Sequence, residues 1–208
     1  NIFFKREDLQ TVRSFKIRGA FHKISSLTKS QSINGLVCAS AGNHAQGFAV
    51  SCTNLGYKGR VYMPKSTPNK KIEQVKKFGK NNIEIILFGE NFSQAYEMAL
   101  KDCHDHNKIF IHPFDDIKVI TGQATLFLEI IDQINNELDY LFIPIGGGGL
   151  ISGAINVFKQ LSPQTKIIGI EPKGAPSMFQ SLKKNRLVKL DKIDRFVDGI
   201  AVKKVGNY

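Results

Sequence analysis

Six short apolar runs, each followed by sequence that suits a helix, constrain this chain more than anything else in it. They are Leu36-Val37-Cys38-Ala39, Arg60-Val61-Tyr62-Met63, Ile83 to Phe88, Ile109-Phe110-Ile111, Tyr140 to Ile145 and Lys166 to Ile170. None has the clean polar alternation of a strand with one wet face, so the pattern predicts strands buried on both sides. Such strands belong to parallel sheets covered by helices, an α/β architecture. The clearest helix is predicted from about Asp116 to Asn135. There Ile117, Ile120, Ala124, Phe127, Ile131 and Ile134 recur at steps of three and four and form one core-packing stripe. Asn69 to Lys80 reads as a second helix, with Ile72, Val75 and Phe78 on its apolar side. Pro64, Pro68, Pro113, Pro163, Pro172 and Pro176 lie near strand ends or before helices, where a missing N–H does little harm. No low-complexity linker and no short repeat interrupts the chain, so two lobes, if present, are interleaved in sequence.

The formal charge of +11 raises the question of nucleic acid. The lysines, however, are scattered over helical stretches, and no nucleic-acid module or basic-aromatic interleaving accompanies them. They read as solvated faces with a modest bias toward small anions. Cys38, Cys52 and Cys103 are an odd number with no Cys-x-x-Cys pair, which argues against a zinc site or disulfide framework and for a reducing cytoplasm. No apolar run approaches membrane-spanning length, and Asn1 to Gln10 does not look like a signal peptide. The chain opens on Asn1 and the strand-like Ile2-Phe3-Phe4. It stops at Tyr208, soon after Ile200-Ala201-Val202 and with no closing element, so both ends are expected to be cut.

Three segments carry chemistry. Lys16 stands in Ser14-Phe15-Lys16-Ile17-Arg18-Gly19-Ala20, at the start of helix-like sequence that continues to Leu27. A rigidly held lysine whose pKa is lowered by burial or by a nearby cation can form a Schiff base, although a surface lysine near a helix start is the commoner meaning. Ser40-Ala41-Gly42-Asn43-His44-Ala45-Gln46-Gly47 follows the first long strand. Free N–H groups at a helix start can bind a carboxylate or phosphate there, and the Asn43 amide can reach a phenolic oxygen. A plain turn with Asn43 as helix N-cap fits the same residues. Gly146, Gly147, Gly148 and Gly149 follow Tyr140 to Ile145 and precede Leu150. Bare backbone can close around a phosphate, with the helix dipole favouring its charge. The run fits neither the dinucleotide nor the Walker pattern. It could be a tight turn only, but four glycines make a costly turn if nothing approaches them. A backbone nest and a lysine amine are the two parts that an enzyme needs to hold a phosphorylated aldehyde cofactor. His104-Asp105-His106 reads as a solvated helix end, because residues two apart on a helix point to different faces.

Together these segments resemble the fold-type II pyridoxal-phosphate-dependent enzymes, relatives of the tryptophan synthase β subunit. The run Lys5 to Ala20 is similar to that family's lysine signature. Ser40 to Gly47, Gly122-Gln123, Gly146 to Leu150 and Asp198-Gly199-Ile200-Ala201-Val202 match in the expected order, so the resemblance spans nearly the whole chain. Glu7-Asp8 and Val12-Arg13 look most like the biosynthetic threonine dehydratases, with Thr11 where that subgroup usually has proline. The resemblance implies pyridoxal 5'-phosphate as cofactor and Lys16 as its catalytic lysine. It implies Phe15 packed against the cofactor ring, Asn43 on the ring hydroxyl, and Gly146, Gly147, Gly148, Gly149 and Leu150 around the phosphate. Ser40, Gly42, Asn43 and His44 would line the substrate-carboxylate loop. Residues 36–116 would form the smaller lobe, and 1–35 with 117–208 an incomplete larger one.

The activity implied is dehydration and deamination of L-threonine to 2-oxobutanoate and ammonia, toward isoleucine. The implied enzyme is a cytoplasmic homo-oligomer when full length, with an amino-acid substrate and neither nucleic acid nor membrane as partner. The family's pyridine-nitrogen partner and the effector-binding domain of its biosynthetic members would lie beyond Tyr208, so the 208 residues alone are expected to be a poor enzyme or none. Relatives also bind a cation through a glutamate and an alanine carbonyl, which would match Glu171 and Ala175. Ser177 stands where some have aspartate, and no metal is assigned. Serine dehydratase, serine racemase and threonine synthase chemistry, or a non-catalytic ligand-binding remnant, are the alternatives.

Overall fold

A computed structural model describes residues 1–134 and 137–208, so the far end of the helix expected to reach Asn135 lies outside the described residues. The chain divides into two compact units, Asn1–Pro113 and Phe114–Tyr208.

The first unit contains α1 (Lys16–Ser25), α2 (Lys29–Ser32), β1 (Leu36–Ala39), α3 (Asn43–Leu55), β2 (Gly59–Met63), α4 (Asn69–Gly79), β3 (Ile83–Leu87), α5 (Phe92–Asp105) and β4 (Ile109–Phe110). Its four strands form one parallel sheet in the order β3-β2-β1-β4, with Leu36 opposite both Gly59 and Ile109. β1 is buried along its whole length because its two faces meet different helices. Leu36 and Cys38 pack with Phe48 and Cys52 of α3 and Ile72 and Val75 of α4, whereas Val37 and Ala39 pack with Ala95 and Ala99 of α5. Alternate residues thus enter two apolar layers, which is why the strand shows no polar alternation. α3 ends at Gly56, whose φ of 75° lets the backbone turn back so that Tyr57 N–H reaches the Cys52 carbonyl at 2.9 Å.

On α5, the buried Asp102 carboxylate accepts from Arg60 at 2.9 Å and from Lys108 at 3.1 Å, joining β2 to the entry of β4. Burial pushes its pKa up, but Lys108, Tyr62 and Arg60 outweigh this and hold it below the usual carboxylate range. His106 Nδ1 also lies 2.9 Å from Asp102, while His104 is largely exposed beside Asp105. The two histidines serve a helix end and point to different partners.

The second unit contains α6 (Ile117–Gln133), β5 (Tyr140–Pro144), α7 (Gly149–Leu161), β6 (Lys166–Ile170) and α8 (Ser177–Lys183). β5 and β6 pair in parallel from Tyr140–Lys166 to Pro144–Ile170. Asp116 caps α6 by accepting from the N–H groups of Lys118 and Val119. Two expectations need correction here. The buried side of α6 is Val119, Ile120, Gly122, Gln123, Leu126, Phe127 and Ile130, and Ile117 is 56% exposed. The band is broader than the apolar stripe and begins two residues later, because Gln123 belongs to it and Phe127 turns toward Phe158 of α7. β3 and the two-stranded sheet also lack the expected burial on both faces. Tyr140 is 50% and Phe142 65% exposed, since no further strand or helix among the described residues covers them.

Candidate active site

Two turns and a 3-10 segment at Glu7–Leu9 lead into α1. The Glu7 carboxylate grips the Arg18 guanidinium through two contacts of 2.8 Å, with both side chains nearly buried. Arg13 adopts φ 55°, a left-handed turn residue that redirects the chain, and Val12 beside it is fully buried. Lys16 then opens the helix with Phe15 as its N-cap. The lysine Nζ donates to the Pro113 carbonyl at 2.8 Å and lies 5.4 Å from the centre of the Phe15 ring. The residue keeps some solvent contact along its length, yet the packing around the amine withdraws water and pulls its pKa from 10.5 to about 8. A depressed amine at the start of a helix is what carbonyl chemistry requires, and an ordinary surface lysine does not have it.

The Ser40–Gly47 segment closes over the end of β1. Ser40 Oγ accepts from Gly42 N–H at 3.1 Å, and Gly42 rather than Asn43 is the N-cap of α3, with no side-chain cap. The simple reading of Asn43 as the cap is therefore wrong. Asn43 is the first helical residue and is exposed, so its amide is open to a partner. The uncapped first turn leaves backbone N–H groups pointing out of the helix, suited to a carboxylate. His44, by contrast, is buried, and its Nε2 lies 2.8 Å from the Ile111 carbonyl. Burial, and then the nearby Lys16, push its pKa down to about 3, so the ring is neutral in ordinary buffers. Lys16, Asn43 and His44 all belong to the first unit, and α3 packs against α1. A Cβ at Gly47 would come within 3.0 Å of the Lys16 and Ile17 backbone, so only glycine permits that approach.

In the second unit Gly148 caps α7 at φ 97°, and again no side chain caps the helix. The glycines answer to close neighbours. A Cβ at Gly147 would lie 2.3 Å from the Phe114 ring, one at Gly149 2.7 Å from the Phe114 carbonyl oxygen, and one at Gly146 3.1 Å from Ile200 Cα. Something does approach the run, as four glycines demand, and in part it is the chain itself. The uncapped α7 start still offers free N–H groups to an anion. Glu171 caps α8 by accepting from Met178 N–H at 2.8 Å and Phe179 N–H at 2.7 Å. Burial pushes the Cys38 and Cys52 thiols up, and Cys103 to about 11, which makes nucleophilic cysteine chemistry a poor fit.

Sequence reading missed three participants: Glu7 as the partner of Arg18, the Pro113 carbonyl and Phe114. Glu7 had a detectable signal, since an acid before a basic helix start invites pairing. A backbone carbonyl 97 residues from Lys16 leaves no trace in residue identity.

Residues 1–208 match the family described as "Pyridoxal-phosphate dependent enzyme". The chain is 55% identical over 206 residues to the L-threonine dehydratase biosynthetic IlvA of Halalkalibacterium halodurans, covering 99% of this chain and 50% of that protein. It is 54% identical to the Bacillus subtilis protein of the same description, again with 99% of this chain and 49% of that one. The processed form of threonine deaminase isoform 2 from Solanum lycopersicum superposes with a TM-score of 0.93 at 45% identity, over 98% of this chain and 58% of that one. Maize serine racemase superposes with a TM-score of 0.90 at 32% identity, over 97% and 60% of the two chains. The chain spans about half the length of the curated relatives it matches.

Proposed function

Because the chain belongs to the pyridoxal-phosphate-dependent enzyme family, we propose that its protein dehydrates and deaminates L-threonine to 2-oxobutanoate and ammonia. The observation that carries the proposal is the Lys16 amine, enclosed at the start of α1 with its pKa drawn to about 8. Pyridoxal phosphate, when bound, supplies an aldehyde carbon for attachment and a ring that takes up the electron pair left at the substrate α-carbon. Lys16 Nζ would hold the cofactor's aldehyde carbon and, once the substrate amine has taken its place there, would accept the α-proton, since a pKa near 8 leaves part of the amine neutral near neutral pH.

The other roles follow the same reading. The N–H groups of Gly146 to Leu150 hold the phosphate, the Asn43 amide meets the ring hydroxyl, and Phe15 lies against the ring. Ser40, Gly42, Asn43 and His44 hold the substrate carboxylate, His44 through its backbone only, because its side chain is committed to Ile111. Functional lobes of 36–116 and of 1–35 with 117–208 are part of the proposal; the four-stranded sheet lies wholly between Leu36 and Phe110, and α6 starts at Ile117. A homo-oligomer working in a reducing cytoplasm fits the family resemblance and the three free cysteines.

Threonine is favoured over the serine chemistries by the 55% identity to a threonine dehydratase against 32% to a serine racemase. The test is Lys16→Ala in the intact protein. Threonine-dependent 2-oxobutanoate release and the borohydride-trapped cofactor adduct on this lysine should both vanish. A trapped adduct on another lysine would overturn the assignment.

A further inference from the structure

The segment that leaves β4, Ile111-His112-Pro113, is held on both sides. The Ile111 N–H donates to the Val37 carbonyl at 2.8 Å, continuing the pairing with β1. The Ile111 carbonyl lies 2.8 Å from His44 Nε2. A carbonyl can only accept, so that ring nitrogen carries the proton and His44 is fixed as the Nε2–H tautomer. Two residues later, the Pro113 carbonyl accepts from Lys16 Nζ at 2.8 Å. Proline fixes its own φ, which limits how far that carbonyl can swing once Ile111 is anchored.

Gly47 lies one turn along α3 from His44. Its missing side chain lets α3 approach the Lys16 backbone closely. The first turns of α3 therefore reach the lysine at both ends. Gly47 meets its main chain, and His44 anchors the segment that holds its amine.

We infer that His44 is a positioning residue for Lys16, holding the Ile111–Pro113 segment so that the Pro113 carbonyl fixes the lysine Nζ in place. The inference rests on the reading of Lys16 as the cofactor-carrying amine, and it gives the buried imidazole a task that any ring protonated at Nε2 can perform. An imidazolium would face Lys16 and His112, both of which disfavour a charge there. A ring protonated at Nδ1 alone would set a lone pair against the Ile111 oxygen.

The experiment uses the intact protein, freed of cofactor, as wild type, His44→Leu and His44→Gln. Competitive amine labelling from about pH 6 to about pH 11, read on the Lys16 peptide by mass spectrometry, gives the lysine's titration midpoint. The wild type should titrate near 8. In His44→Leu the amine is no longer held against Pro113 and turns to water. Its midpoint should rise toward the ordinary lysine value by about one unit or more, a tenfold change in the protonation equilibrium. His44→Gln keeps an N–H for the Ile111 carbonyl and should stay close to wild type. An unmoved midpoint in folded His44→Leu overturns the inference.

If His44→Leu does not fold, nitrogen NMR of the wild-type ring decides. A ring protonated at Nε2 supports the proposal, and a neutral ring protonated at Nδ1 alone at about pH 6 overturns it. Borohydride trapping with pyridoxal phosphate separates the two readings. A shifted midpoint without a Lys16 adduct removes the cofactor assignment and leaves His44's role standing. An adduct with an unmoved midpoint removes only the role of His44.

Discussion

An amine that loses its proton near neutrality has consequences for stability as well as for chemistry. Lys16 titrates at about 8 in the folded chain against 10.5 ordinarily, so between those values the unfolded chain binds more protons. Stability should therefore rise with pH across that window, and below about 8 the folded state carries the full cost of an enclosed ammonium. Lys16→Met removes the cost. It should raise the melting temperature at pH 7 by a few degrees, at about 2–4 °C per kcal/mol recovered for a chain of this size. The gain should shrink as the pH rises from about 8 to 10.5; thermal melts across pH check both points, and an equal gain at every pH would contradict the enclosure. Gly147 offers a second residue-scale test. Its substitution by alanine drives a Cβ into the Phe114 ring, which should cost about 1–3 kcal/mol even without cofactor, as overpacking does. Phe114→Ala in the same protein should recover part of that loss. If Gly147→Ala leaves the melting temperature of the apo protein unchanged while weakening phosphate binding, the glycine answers to the ligand alone.

At the scale of elements, the entry to α1 depends on a paired charge. Glu7 and Arg18 are 13% and 11% exposed, so Arg18→Ala strands a nearly buried carboxylate and should destabilise the protein by about 3 kcal/mol. Because α1 begins at Lys16, the same change should also blunt adduct formation at the lysine. Arg18→Lys keeps the charge but loses the forked geometry and should recover only part. Denaturant titration with borohydride trapping reads both effects. Such pairs show how far the sequence could be read. The six strands and their parallel pairing were legible from short runs without alternation, although burial between two helical layers holds for β1 and not for β5 and β6. The segments around Lys16, Asn43 and Gly146 to Gly149 were legible as helix starts, since each pairs a strand or turn with small residues. The buried side of α6 was not, for it includes Gln123, which an apolar count skips. The holding of Lys16 was not either, because Pro113 acts through its carbonyl, a group every residue has.

For the whole molecule, the balance of covered and uncovered apolar surface decides how the chain behaves alone. The first unit buries β1 fully, with its edge strands β3 and β4 only partly covered. The second leaves Phe142 65%, Tyr140 50% and Ile170 47% exposed on its two strands, and Phe196 92% exposed further along. Ile2, Phe3 and Phe4 add a further run, each more than half exposed. Contiguous apolar patches of this kind drive association, and a parallel pair with open edges offers unpaired backbone groups to other chains. The 208-residue chain on its own should therefore bind a hydrophobic dye in its native state, self-associate as concentration rises, and release little or no 2-oxobutanoate from threonine. Substituting the exposed Phe142 and Ile170 by threonine keeps strand propensity and removes apolar surface. The pair of changes should lower dye binding and light scattering while leaving the first unit's melting transition in place. Equal scattering with and without them would move the source of association to the Ile2–Phe4 run. A monodisperse, dye-free chain that turns over threonine at an enzyme's ordinary rate would mean that the exposed sheet is no liability and that these 208 residues suffice for catalysis.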